Sequence, residues 1–151
     1  MIDRTAPLHA DPRLARLVVF YQTLSPASLA SLGVLYAEQA RFIDPFNDVT
    51  GIAAIRRVFE HMYATLEAPR FEVLEAVGEG ALGFLTWRFM FKRQGGRIDH
   101  CVHGVTRLRF DADGRVLLHH DHWDPARQLY EGVPLLGAAL RWLRRRLSAG
   151  A

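Results

Sequence analysis

The sequence predicts an α+β domain, and three observations carry that prediction. Helix signals fill the stretch before Phe71. There the hydrophobic period changes from helical to alternating. Gly- and Asp-rich turns then separate four alternating runs. Helices first and a meander sheet afterwards fit α+β layers rather than repeated βαβ units.

Asp11-Pro12 opens the first helix as an N-cap with proline at the first helical position. Leu14, Leu17, Val18 and Tyr21 make its apolar stripe. Ser25-Pro26 repeats the signal, so a second helix follows with Leu29, Leu32 and Leu35 or Tyr36 inward. Residues 40–46 read as a short extended piece that Pro45 ends, and Pro45 biases Asp44 away from helix. Thr50 then caps a third helix with the stripe Ile52, Ile55, Phe59 and Met62.

Residues 71–77, 82–92, 97–110 and 115–123 read as four strands in consecutive antiparallel hairpins. Gly78-Glu79-Gly80, Gln94-Gly95-Gly96 and Asp111-Ala112-Asp113-Gly114 supply the turns. A last amphipathic helix over 135–147 places Leu136, Leu140, Leu143 and Leu147 on one side.

The 151 residues suit a single domain spanning 1–151, and 50% hydrophobic with 23% charged residues excludes a disordered chain. The lone Cys101 excludes an internal disulfide framework and a cysteine-based zinc site. No apolar run approaches the roughly 20 residues of a membrane span. The amino terminus lacks the apolar core of a signal peptide, so a cytoplasmic location is expected. The net charge of +3 is weak, and much of it sits at Arg141, Arg144, Arg145 and Arg146. Without interleaved basic and aromatic residues, no nucleic-acid partner is expected. These arginines are expected to be solvated while the leucine stripe docks on the domain, in preference to a membrane contact.

The run His119-His120-Asp121-His122-Trp123-Asp124 is the richest in chemistry. Three imidazoles and two carboxylates in six residues are too costly to desolvate as core filler. If Phe110 pairs with Arg115, then Leu108 faces Leu117, Thr106 faces His119 and Gly104 faces Asp121. His119, Asp121 and Trp123 then point inward, and His120 and His122 outward. Gly104 would leave room beside the Asp121 carboxylate. On the outer face His103 pairs with His122, near Cys101 and Asp124. That cluster reads as an interface, with a surface metal site as the rarer alternative.

Tyr36-Ala37, Phe42-Ile43-Asp44-Pro45-Phe46, Gly51 to Ile55, Arg109 to Val116 and His119 to Asp124 together resemble the nuclear transport factor 2-like superfamily. This group includes ketosteroid isomerases, scytalone dehydratase and SnoaL-like polyketide cyclases, and the resemblance covers roughly Arg13 to Glu131. It implies a curved antiparallel sheet wrapped around three N-terminal helices, a cone with a pocket at its open end. Asp44 falls where the isomerases keep their base, while their oxyanion-binding tyrosine and protonated aspartic acid fall at Phe20 and Thr106. Phe20 cannot donate a hydrogen bond, though Tyr21 could if the helix phase differs. Asp121 falls where SnoaL-like cyclases carry an acid–base aspartate, with His119 as its partner.

Two functions follow as expectations. One is an acid–base enzyme of cyclase, dehydratase or isomerase type, needing no organic cofactor. Asp44 or Asp121 would take a proton, His119 would relay it, and Tyr21, Phe20, Trp87, Thr106 and Trp123 would line a site for a small hydrophobic or cyclic molecule. The other is a non-catalytic ligand-binding or scaffold domain. Outward Phe84 and Met90 suggest a homodimer through the outer sheet face. Asp44 also reads as a turn acceptor beside Pro45, and His119 with Asp121 as a buried polar network.

Overall fold

The computed structural model describes residues 11–149. Its helices are α1 (Pro12–Gln22), α2 (Leu32–Leu35), α3 (Ile52–Thr65), α4 (Pro125–Gln128) and α5 (Leu136–Leu147), with 3-10 turns at Ala27–Ser31 and Tyr130–Gly132. Its strands are β1 (Tyr36–Ile43), β2 (Asp48–Thr50), β3 (Leu66–Glu79), β4 (Leu82–Arg93), β5 (Asp99–Phe110) and β6 (Val116–His122). They form one curved, open sheet in the order β2-β1-β6-β5-β4-β3. α1 packs on β3 and α3 against β1, β2 and β3, so the helices fill the inside of the curve. Among the described residues no helix is long and apolar enough to cross a membrane.

The α1 signal holds in detail. Asp11 accepts from the Arg13 N–H at 2.9 Å, and Leu14, Leu17, Val18 and Tyr21 are all buried. The expected second helix is only a 3-10 turn followed by one α-helical turn. β1 begins at Tyr36, four residues before the expected extended piece, because Tyr36 pairs in parallel with Val116 of β6. That pairing makes the sheet mixed, where a wholly antiparallel one was expected. Thr50 does not cap α3: it pairs with Arg41 at the end of β2, and Gly51 is the N-cap with φ +95°. Few residues but glycine take that conformation readily.

The β5–β6 register differs from expectation by two residues. Leu108 faces His119, Thr106 faces Asp121 and Val105 faces His122. One residue of the shift comes from the turn, where Phe110 pairs with Val116 and not with Arg115, and the other from a bulge. Arg109 pairs with Leu118 but Phe110 with Val116, which leaves Leu117 as an extra, exposed residue. A two-residue shift leaves alternating side chains on their original faces, so His119 and Asp121 still point inward. Gly104 does not face Asp121; it lies opposite Trp87. His103 pairs with Arg88, not with His122.

The leucine stripe of α5 does not dock on the domain. Within the helix only Gly137 is buried, and Leu136, Leu143 and Leu147 are exposed. The helix is tied down along another side, where Glu131 accepts from Arg141 and Arg144.

Candidate active site

Four neighbouring strands and α1 contribute to one buried polar chain. Trp87 on β4 donates its Nε1–H to Thr106 Oγ1 on β5 at 2.7 Å, and Thr106 Oγ1 donates to Asp121 Oδ1 on β6 at 2.5 Å. His119 Nε2 meets the same Oδ1 at 2.8 Å. On the other side of the ring, His119 Nδ1 is 2.9 Å from the Tyr36 hydroxyl of β1 and 3.1 Å from the Tyr21 hydroxyl of α1. The two phenols also hydrogen-bond each other.

The donors and acceptors of this chain are mutually compatible. With Asp121 as carboxylate, His119 donates from Nε2 and accepts at Nδ1. One of the two phenols then donates to Nδ1 and the other to its neighbour's oxygen. Burial pushes both phenols well above the usual tyrosine range, and the Asp121 charge adds to the effect. Both therefore remain donors at neutral pH. Among the described residues the core buries His119 and Thr106 as polar side chains, and both are satisfied inside this chain. The Phe42 ring stacks on the imidazole with centroids 4.5 Å apart and holds its plane.

Asp121 is where the chain meets open space. Its side chain retains 16% exposure, against 2% for His119. It lines a cavity of about 340 Å³ together with Tyr21, Trp87, Trp123 and Phe42, Phe46, Phe59, Phe71, Phe89 and Phe91. That volume and its apolar, aromatic walls suit a small ring-bearing molecule. Both hydrogen bonds to Asp121 fall on Oδ1. Among the described residues Oδ2 has no protein donor.

Asp44 lines the same cavity, but its carboxylate is taken up by its own turn. Oδ1 accepts from the backbone N–H groups of Phe46 and Asn47, both at 2.7 Å, and Asn47 Nδ2 reaches both oxygens at 3.0 and 2.9 Å. This Asx turn follows from Asp-Pro: proline cannot continue β1, and the aspartate closes the reversal into β2.

The SnoaL-like domain model matches residues 18–119. The chain belongs to the SnoaL-like domain family. Many solved structures share its fold, three of them as follows. The Catenulispora acidiphila DSM 44928 hypothetical protein with a ketosteroid isomerase-like fold, solved with trimethylamine, is 16% identical. It superposes at a TM-score of 0.69 over 80% of this chain and 92% of its own. A candidate SnoaL-like polyketide cyclase from Shewanella putrefaciens CN-32 is 24% identical, with a TM-score of 0.62 over 76% and 93% of the two chains. TerC, co-crystallised with polyporic acid, is 13% identical, with a TM-score of 0.64 over 76% and 91%. A search of curated proteins by sequence found no match.

In this SnoaL-like chain the other expected site residues divide. Trp87 and Trp123 line the cavity. Thr106 sits behind Asp121 and meets only a narrow void beside it. Phe20 is core, edge-on to Tyr21, and does not line the cavity, because the α1 phase turns Tyr21 inward. His120 and His122 point outward with rings 3.9 Å apart. Among the described residues no three His, Cys, Asp or Glu side chains converge to hold a metal. Burial together with the neighbouring His122 lowers the His120 pKa.

Tyr36 is the member of this hydrogen-bond chain that sequence reasoning missed. Its hydroxyl in an otherwise apolar stripe was the available signal. His61, Thr65 and Arg93 also border the cavity, and nothing in their local patterns marks them.

Proposed function

We propose that this SnoaL-like chain binds a small, largely apolar, ring-bearing molecule in the cavity and moves a proton on it, with Asp121 as the base. One observation carries the reading. The Asp121 carboxylate is anchored through Oδ1 by His119 and Thr106 while it borders an aromatic cavity. A base held this way meets a substrate without first reorganising.

In the proposed step, Oδ2 takes a proton from an acidic C–H or O–H of the substrate. The electron pair stays on the substrate as an enolate or alkoxide. The His119 Nε2–H keeps its bond to Oδ1 and steadies the charge as it changes. Returning the proton to another atom gives isomerisation or ring closure; loss of a leaving group gives elimination. Trp87, Trp123 and Phe89 would orient the ring.

Asp121→Asn should retain ligand binding, read as quenching of tryptophan fluorescence by planar aromatic ketones and quinones. It should lose turnover of whichever compound the wild type converts. Wild-type turnover in that variant would overturn the assignment. A ligand that binds both forms and is converted by neither would favour the non-catalytic reading.

The same reading places the protein in the cytoplasm as a homodimer through the outer sheet face. Val77 and Phe84 pair there as exposed apolar neighbours. Native mass spectrometry showing a monomer would reject the dimer.

A further inference from the structure

We propose that α5 is a docking helix for an anionic lipid bilayer, a role independent of the cavity. At about 100° per residue, Leu136, Leu140, Leu143 and Leu147 fall within one narrow arc. This arc is turned away from the core. Leu147 is 79% exposed and Leu135, just ahead of the helix, 87%. A groove of about 390 Å³ separates Leu140, Leu143 and Leu147 from Ala126 and Arg127 of α4.

What fixes the helix lies to one side of the arc. Arg141 donates to the Glu131 carbonyl, and Arg144 meets the Glu131 carboxylate at 2.8 Å. Gly137 packs so closely on the Glu131 carbonyl that a Cβ would stand 2.1 Å from its oxygen. Glu131 therefore holds α5 with its leucines facing out. Trp142 is exposed on the other side of the helix from the leucines, under the Arg146 guanidinium at 5.0 Å.

Charge selects the occupant. Between Gly132 and Ala149 there are four arginines and no acidic residue. Among the described residues Arg145 and Arg146 have no carboxylate partner. A nucleic acid would leave the leucines in water. A bilayer with anionic headgroups satisfies both faces. The leucines enter the acyl boundary, and the arginines of the polar face are drawn to the anionic headgroups.

The test is co-sedimentation of the full chain with phosphatidylcholine vesicles, with and without about one-third phosphatidylglycerol. Binding is expected only to the anionic vesicles, weakened by salt. Arg145→Glu with Arg146→Glu should reduce binding by about tenfold or more. Leu143→Ser with Leu147→Ser should abolish it without shifting the melting temperature, because both side chains are exposed. Absence of binding, equal binding to neutral vesicles, or undiminished binding by the arginine variant would overturn the proposal. So would a leucine variant that still sediments but changes oligomeric state in light scattering, since the face would then be covered by a second copy.

Discussion

Gly104 and Trp87 face each other across β5 and β4, and the indole occupies the space a Gly104 side chain would need. A Cβ there would stand 2.3 Å from Trp87 Cη2. Without a side chain at position 104, the indole lies flat across β5 and its Nε1–H reaches Thr106. Gly104 thus positions the far end of the hydrogen-bond chain without touching Asp121. Gly104→Ala should displace the ring and break that bond, at a cost of about 2–4 kcal/mol from overpacking and an orphaned N–H. Denaturant unfolding would measure the loss, and a shifted tryptophan emission would locate it.

Thr106→Val tests the next link without changing shape. The Trp87 N–H would lose its acceptor and Asp121 Oδ1 one of its two donors. The expected destabilisation is about 1–3 kcal/mol, the usual cost of leaving a buried polar group unpaired. A cost near zero would mean that the hydroxyl contributes shape alone.

The two phenols set an alkaline limit. Burial raises both folded-state pKa values above the unfolded value near 10. Below that pH both states keep the protons, so this stabilisation is fully present. Above it the unfolded state releases protons that the folded state retains, and stability falls as pH rises. The slope approaches about 1.4 kcal/mol per pH unit for each phenol. Tyr21→Phe with Tyr36→Phe should flatten the decline above pH ~10 while lowering stability at pH ~7 by removing the donor to His119. An unchanged alkaline slope would show that other groups set it.

At the start of α3 the prediction concerns backbone alone. Gly51 has φ +95° and ψ 149°, and a Cβ there would meet nothing nearer than the Glu38 carbonyl at 3.8 Å. Gly51→Ala should therefore cost about 1–3 kcal/mol through conformation, not through a clash. Thermal unfolding at several denaturant concentrations would measure it.

Which parts of this site the sequence disclosed follows from the range of the interactions. The inward set His119, Asp121 and Trp123 was legible because strand side chains alternate, and the two-residue register shift kept faces intact. The shift itself was not legible. Nothing in Val116-Leu117-Leu118 says which leucine bulges out, and the bulge depends on how β6 meets both β5 and β1. The parallel β1–β6 pairing joins segments some 80 residues apart, a contact that local periodicity does not encode. For that reason Tyr36 read as the end of a helix, and its bond to His119 was missed. The arginines and leucines of α5 were read correctly as an amphipathic helix. Where its stripe points is decided by Glu131, ten residues upstream of Arg141.

The two candidate bases, Asp44 and Asp121, can be separated by their opposite dependence on fold and chemistry. Asp44 takes four hydrogen bonds from its own turn, so its carboxylate must give up local donors before it can accept a substrate proton. Asp44→Asn sets an amide against the Asn47 amide and should cost about 1–2 kcal/mol of stability, leaving turnover within a few fold once a substrate is known. Asp121→Asn keeps an oxygen able to accept from Thr106 and His119, so its stability should change less while turnover is lost. Unfolding midpoints and single-turnover rates on both variants make the comparison. If Asp44→Asn abolishes turnover at an unchanged melting temperature, the base is Asp44, and the His119–Asp121 chain supports structure alone.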